Sequence, residues 1–580
     1  MTESLTLVPP AFVVLLAALL LPFASRRVGH GLGLLATAGV SVWSYLVPAG
    51  THLPVRFLGF EAVLFNVDEF SRLMGIIFGL IGAAAVLYSY SSAAENLQTA
   101  FALGYVGTSL GAVFAGDWLS MIFFWELMAV TSTLLVWHHG GPAVRAGFRY
   151  AIFHGIGGSL FMVAIVWHYV EVGSFLFSAT DGLVAGIPAT LAALGIGVNV
   201  GFVGLHTWLP DTYPRPHVAA SVFLSVYTTK TGVYGLYRVF PDGSIAIAYM
   251  GAAMAVVGVT YALLQNDMRR LLSYHIQSQV GYMVAGVGIG TALATAGAFA
   301  HVYNHILYKA LLFMTAGVVI SRTGEENLKY LGGLRTGLPI TAIAFTAAAL
   351  AISGFPGFNG FVSKGMITAA AHYEHLTGIY YLLLAAGVGT FMSFIKFGYY
   401  AFYRNTDREF SVSTANPGQA IAMLGVAALL VVYGLVPDLL FSILPGSTAD
   451  AHPFTTSHLL EGFALAGLGL VGFVVLKKPL SKVGAVPDVD AILNPLVFYG
   501  TRTVVRGLTE TYAAVDRVVA SGSYALAGTI VNPYPFLERV ARSLDEEDVS
   551  VLPGSLQATI GTSILLMVVI LGGVLVGVLN

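Results

Sequence analysis

Apolar segments recur every 20–35 residues or so from one end of this chain to the other, and most are long enough to cross a hydrocarbon layer about 30 Å thick as a helix. No other feature narrows the fold as far. Backbone inside a bilayer must satisfy its own hydrogen bonds, so a chain of this kind crosses as helices or as a closed barrel. The 580 residues are 57% hydrophobic and 10% charged, with a mean hydropathy of +0.80. That composition excludes a string of soluble domains and identifies an integral membrane protein whose solvent is the lipid bilayer. A net charge of -2 excludes a strongly basic nucleic-acid binder. The chain has no cysteine, which excludes a disulfide framework and any thiolate-held zinc or iron–sulfur centre.

Hydropathy predicts an all-α polytopic protein of about sixteen transmembrane helices. Their expected spans are 8–24, 30–49, 69–91, 98–116, 118–137, 147–171, 184–209, 218–239, 244–264, 271–290, 295–320, 338–370, 377–403, 418–444, 458–476 and 556–579. The first run is followed by Arg26 and Arg27, with no cleavage-type small residues and no positive n-region, and is expected as a retained helix. Alternate connections carry Arg26, Arg27, Arg145, Arg215, Arg269, Arg270, Arg322, Lys329, Arg335, Arg404, Arg408, Lys477, Lys478 and Lys482, whereas the intervening ones hold little beyond Arg56 and Arg238. The positive-inside rule makes the first set cytoplasmic, so both termini are expected on the extracytoplasmic side of the plasma membrane.

Two spans contain helix breakers, 199-NVGFVGLHTWLPDTYPRP-216 and 353-SGFPGFNGFVSKGM-366. Unwound backbone at membrane depth survives only inside protein or along a wet cavity. Breaks at corresponding places in two halves point to an internal repeat around an ion site. The offsets agree: Asn199 to Lys230 is 31 positions and Lys364 to Lys396 is 32. The expected divisions are N-terminal helices 1–97, a first half-channel 98–240, a second 241–405, additional helices 406–480, an amphipathic lateral region 481–550 and a last crossing helix 551–580. In the lateral region, Asp490, Arg502, Arg506, Glu510, Asp516, Arg517, Glu538 and Arg539 alternate with apolar residues, a pattern too polar to span and suited to a surface helix. The acidic run 545-DEED-548 and Pro553 follow it.

A charge at the bilayer centre costs about 2.5–3.5 kcal/mol on insertion scales. Each ionisable residue in a span therefore asks for a reason. Glu126 lies in 121-MIFFWELMAV-130, Lys230 in 226-VYTTKTGVYGLYR-238 and His275 in 273-SYHIQSQVGYM-283. His301, His305 and Lys309 sit at i, i+4 and i+8 in 301-HVYNHILYKALLFM-314, on one helix face. Lys364 and Lys396 complete the series. A lone buried His is as often a packing residue as a functional one, which weighs on His154, His168 and His206, and a Lys or Arg near a helix end reaches back to the interface, which weighs on Lys396 and Arg238. Glu126, Lys230, Lys309 and Lys364 lie well inside their spans, where ionisable groups mark ion pathways by default. Lysine and histidine joined by water make a proton relay. No phosphate loop, metal cluster, cofactor motif or nucleophilic triad appears in the sequence.

The blocks 124-FWELM-128, 205-LHTWLPDTYP-214, 228-TTKTGVYGLYR-238, 267-DMRRLLSYHIQSQVGYM-283, 301-HVYNHILYKALLF-313 and 354-GFPGFNGFVSK-364 resemble the antiporter-like membrane subunits shared by respiratory complex I, membrane-bound hydrogenases and multisubunit Mrp-type cation/proton antiporters. The resemblance implies two inverted five-helix repeats around a hydrated axis. It also implies roles: Glu126 as the acidic residue of the fifth helix, Lys230 as the link between half-channels, His301, His305 and Lys309 as the central relay, and Lys364 as the terminal lysine. His275 and Lys396 extend that line. The first broken helix is expected around Asn199, His206, Pro210 and Asp211, and the second around Gly354, Pro356 and Gly357. One departure stands out: the family places a lysine where this chain has Asn199. A milder one is Met268, Arg269 and Arg270 after Asp267, where relatives often read Ile, Lys and Arg.

The expected function is a proton-conducting subunit of a multisubunit antiporter, with H+ and, as a second ion, Na+ as cargo and other membrane subunits as partners. A subunit of a redox-driven pump, a non-transporting scaffold and a membrane subunit of inorganic-carbon uptake stay open as alternatives.

Overall fold

The computed structural model describes residues 8–406, 410, 412–484, 486–543, 561, 563–565 and 567–570. Helices dominate. Among the described residues, nine are long and apolar enough to cross a membrane, running from Glu69–Ser91 to Thr456–Leu480, and Pro10–Phe23, Ile187–Val200 and Pro339–Ser353 are shorter apolar helices. Fewer long apolar helices appear than hydropathy alone suggests, because breaks divide some spans and polar faces run along others. Met268–Ile289 is one of the latter: almost every residue from Met268 to Gly288 is buried, including His275, Gln277 and Gln279.

Both expected breaks use the same device. Ile187–Val200 ends at Gly201 (φ 78°) and Pro339–Ser353 ends at Gly354 (φ 82°), left-handed positions that glycine takes without a Cβ clash. The chain resumes as helix at Trp208–Thr212 in the first case and at Asn359–Tyr373 in the second. A further break lies where one helix, 218–239, was expected. Val218–Leu224 and Tyr227–Val239 are separate helices, with Ser225 and Val226 between them.

The expected all-α architecture is corrected at residues 50–67. Gly50–Phe57 and Phe60–Val67 form an antiparallel hairpin, turning through Leu58 and Gly59, both at positive φ, as a two-residue hairpin loop requires. Asp117 anchors it. One carboxylate oxygen accepts from Val63 N at 2.6 Å and the other from Ser120 N at 2.7 Å, which also caps Trp118–Trp137.

Two compact units result, Met1–Val486 and Pro487–Asn580. In the second, the surface helix expected within the lateral region 481–550 is two helices, Asp490–Val531 of 42 residues and Tyr534–Ser543. Pro533 separates them, since it has no N–H to continue the first. The expected last crossing helix at 556–579, like 545-DEED-548, lies largely outside the described residues. In the first unit the core surrounds one helix, Ala292–Thr323, in which every residue from Leu293 to Val319 is buried.

Candidate functional site

The central helix Ala292–Thr323 carries His301, His305 and Lys309, each fully enclosed. His301 Nδ1 bonds Ser363 Oγ at 2.9 Å, and its Nε2 bonds Tyr308 OH at 3.2 Å. The His301 and His305 rings are 6.3 Å apart between centroids, so no direct bond joins them. Neither nitrogen of His305 or of His275 finds a partner among the described residues. The Phe394 ring lies 4.8 Å from the His275 ring and 5.9 Å from Lys309 Nζ. Asn304 and Asn359 hold the central helix to the second broken segment: Asn304 Nδ2 donates to Asn359 O, and Asn359 Nδ2 to Asn304 Oδ1, both at 2.9 Å.

The four lysines share a mode of fixation that spacing alone does not reveal. Lys230 Nζ donates at 2.6 Å to Ser225 O, the carbonyl at the end of Val218–Leu224, and at 3.0 Å to Thr229 Oγ1. Lys364 Nζ donates at 2.7 Å to Ile352 O, in the last turn of Pro339–Ser353. Lys396 Nζ donates to Leu263 O at 2.8 Å and Gln265 O at 2.6 Å, where Ile245–Leu264 ends. Helix C-termini present unpaired carbonyls and the negative end of the helix dipole. Three ammonium groups are thus held by helix ends. Lys309 Nζ instead donates at 3.2 Å to Leu272 O within Met268–Ile289. No carboxylate lies within ion-pair reach of these four lysines among the described residues. Lys396 does not reach for the interface as its place near a helix end suggested; it is 2% exposed.

The first half is arranged differently. Glu126 is half-buried on the outer stripe of Trp118–Trp137, between Phe123 (41% exposed) and Val130 (53%). Its carboxylate occupies the space a side chain at Gly158 would need, and Oε1 has no hydrogen-bond partner among the described residues. Asn199 is fully buried against Gly232, and neither of its amide atoms has a partner among the described residues, so no hydrogen bond joins it to Glu126. His206 is buried beside Tyr274, with ring centroids 6.3 Å apart. Pro210 is buried in the short helix, and Asp211 pairs with Arg149 at 3.5 Å. Pro356 and Gly357 (φ 91°) form the loop of the second break.

A hydroxyl cluster between these elements carried no motif. Ser132 Oγ and Tyr150 OH are 2.9 Å apart, Tyr150 OH and Thr228 Oγ1 3.0 Å, and Thr228 Oγ1 and Tyr105 OH 2.5 Å. Four helices meet there. The sequence signal was the three threonines around Lys230, Thr228, Thr229 and Thr231.

The profile of the family described as "NADH:quinone oxidoreductase/Mrp antiporter, TM" matches residues 115–393, which contain every residue of the buried line except Lys396. A Na(+)/H(+) antiporter component of Alkalihalophilus pseudofirmus is 26% identical over 469 residues, 76% of this chain and 95% of that one. An uncharacterized protein of Methanocaldococcus jannaschii is 31% identical over 373 residues, 60% of this chain and 77% of its own length. Among solved structures, a chain of the membrane-bound sulfane sulfur reductase, an archaeal respiratory membrane complex, superposes with a TM-score of 0.70 at 24% identity, covering 98% of this chain and all of that one. With its broken helices and its enclosed lysines and histidines, this multi-pass membrane protein belongs to the NADH:quinone oxidoreductase/Mrp antiporter family.

Proposed function

We propose that this chain is the proton-conducting subunit of a multisubunit cation/proton antiporter, moving protons along Lys230, His275, His301, His305, Lys309 and Lys364. The observation that carries the reading is the set of buried lysines with no carboxylate within ion-pair reach among the described residues. Burial without a carboxylate nearby disfavours the charged ammonium, so a lysine held mainly by carbonyls is suited to take up a proton and give it up again as its hydration changes. The unpartnered nitrogens of His275 and His305 and the amide of Asn199 support a hydrated axis, because each buried polar group without a partner costs about 1–3 kcal/mol. Lys309 and His301 then stand at its middle, Lys364 at its outer end, and Glu126 and Lys396 at its margins. Na+ is a candidate counter-ion, as the name of the A. pseudofirmus relative suggests.

The finer architecture belongs to the same proposal. Sixteen crossings, two inverted five-helix halves at 98–240 and 241–405, a lateral helix and extracytoplasmic termini in the plasma membrane form a consistent scheme. Equivalent glycine-terminated breaks at Gly201 and Gly354 support it.

The test is proton movement after a pH jump in vesicles holding the intact assembly. Lys309→Ala and Lys364→Ala are expected to abolish it, and native rates in both variants would refute the relay. The family description also favours a second reading, a subunit of a quinone-linked redox pump. Mass spectrometry of the copurified complex separates the two, since redox subunits accompany a pump and small hydrophobic subunits an antiporter.

A further inference from the structure

Two adjoining cavities lead away from Lys364. The inner one, about 30 Å³, is lined by Lys364, Tyr282, His458 and Glu461 and has room for one or two water molecules. The outer one, about 240 Å³, is lined by His458 and Glu461 again and by His372, Tyr380, Asp450 and His452. Gly365, Thr368, His458 and Glu461 therefore form the wall the two share. The vestibule opens at the N-terminal end of Thr456–Lys482, whose other end carries Lys477, Lys478 and Lys482. The positive-inside rule places it on the extracytoplasmic side.

The wall is built for its position. Glu461 Oε2 accepts from Tyr380 OH at 2.7 Å. His458 stacks flat on Phe361, with centroids 4.0 Å apart and planes 10° from parallel, and its Nδ1 lies 2.7 Å from Pro453 O. A carbonyl only accepts, so Nδ1 carries the hydrogen and Nε2 is left as an acceptor. The ring lies where a side chain at Gly365 would stand, one residue beyond Lys364. Next to Glu461, Gly462 lies so close to Phe361 and Pro356 that a Cβ there would stand 3.0–3.1 Å from them.

We propose that this vestibule is the extracytoplasmic mouth of the Lys364 half-channel, and that Glu461, beside His458, passes protons between Lys364 and the vestibule. This rests on the relay reading above. In the outward step the Lys364 ammonium gives a proton through cavity water to the Glu461 carboxylate, leaving a neutral amine and a neutral carboxylic acid. The acid then releases the proton to vestibule water and becomes a carboxylate again. Glu461 is the carboxylate that the lysines lack within ion-pair reach, placed one cavity away.

The experiment uses the intact complex in vesicles. Glu461→Gln keeps an oxygen for Tyr380 to donate to but cannot carry the proton, and it is expected to slow proton movement by at least about tenfold; Glu461→Asp is expected to restore part of the rate. Because the chain has no cysteine, Thr368→Cys introduces a single thiol in the shared wall. A membrane-impermeant thiol reagent added on the extracytoplasmic side is expected to label it and block transport. Native transport by Glu461→Gln, or an unlabelled Thr368→Cys in a transporting complex, overturns the proposal. If Lys364→Ala abolishes transport while Glu461→Gln does not, the mouth is wrong and the relay stands. If Lys364→Ala transports normally, the relay itself has failed.

Discussion

Lys364 Nζ donates to Ile352 O at 2.7 Å, so its amino group caps the helix that ends at the break just before it. Lys364→Met removes the cap together with the proposed proton site. The carbonyl left without its partner is expected to lower stability by about 1–3 kcal/mol. Thermal unfolding of the detergent-solubilised complex measures this independently of transport.

Lys396 caps two carbonyls, Leu263 O and Gln265 O, at the end of Ile245–Leu264. Lys396→Met is expected to cost about 1–3 kcal/mol and to slow transport, whereas Lys396→Arg, which keeps the charge and the donors, is expected to recover most of the stability. Equal unfolding temperatures for native and Lys396→Met would remove the cap from the account.

Helices Ile245–Leu264 and Met268–Ile289 touch backbone to backbone. A Cβ at Gly281 would meet Gly251 O and Ala255 N at 2.5 Å. Gly281→Val must spread the pair and is expected to destabilise by about 1–3 kcal/mol or more, read as a fall in assembled complex on gel filtration.

Asp68 and Arg238 tie the start of Glu69–Ser91 to the end of Tyr227–Val239, and Asp68 Oδ1 also accepts from Ser71 N at 2.7 Å. Burial acts to raise the Asp68 pKa, but the charge and hydrogen bond of Arg238 and the Ser71 donors outweigh it and hold the carboxyl below its ordinary value. A depressed folded pKa means the stabilisation is present above the unfolded value and is lost as pH falls through the folded one. Asp68→Asn is therefore expected to destabilise at neutral pH. Its penalty should shrink in acid, below the usual carboxylate range, in unfolding measured across pH.

Asn199 is enclosed with both amide atoms unpartnered. Asn199→Lys places a cation between Lys230's helix and the first break and is expected to change the rate of proton movement. Unchanged transport in vesicles would favour a first half that serves as scaffold.

The membrane class, the family and most of the crossing segments could be read from the sequence, because apolar runs of about 20 residues and breakers such as 354-GFPG-357 act locally. The face shared by His301, His305 and Lys309 followed from helical period alone. Periodicity could not give what the lysines hold. Ser225 O, Ile352 O and Leu263 O are backbone atoms with no sequence signature, freed where helices end; the first two lie only 5 and 12 positions from their lysines, and Leu263 O is brought to Lys396 across 133 positions. The hairpin at 50–67 was missed because it lies between stronger helical signals and was read as a connection between crossing helices. Glu461 passed unnoticed on an outer helix, 97 positions from Lys364 in sequence, and only packing sets the two on one cavity. Hydropathy and helical period are properties of a segment, whereas hydrogen bonds to freed carbonyls and the lining of cavities depend on which segments meet, and tertiary packing decided that.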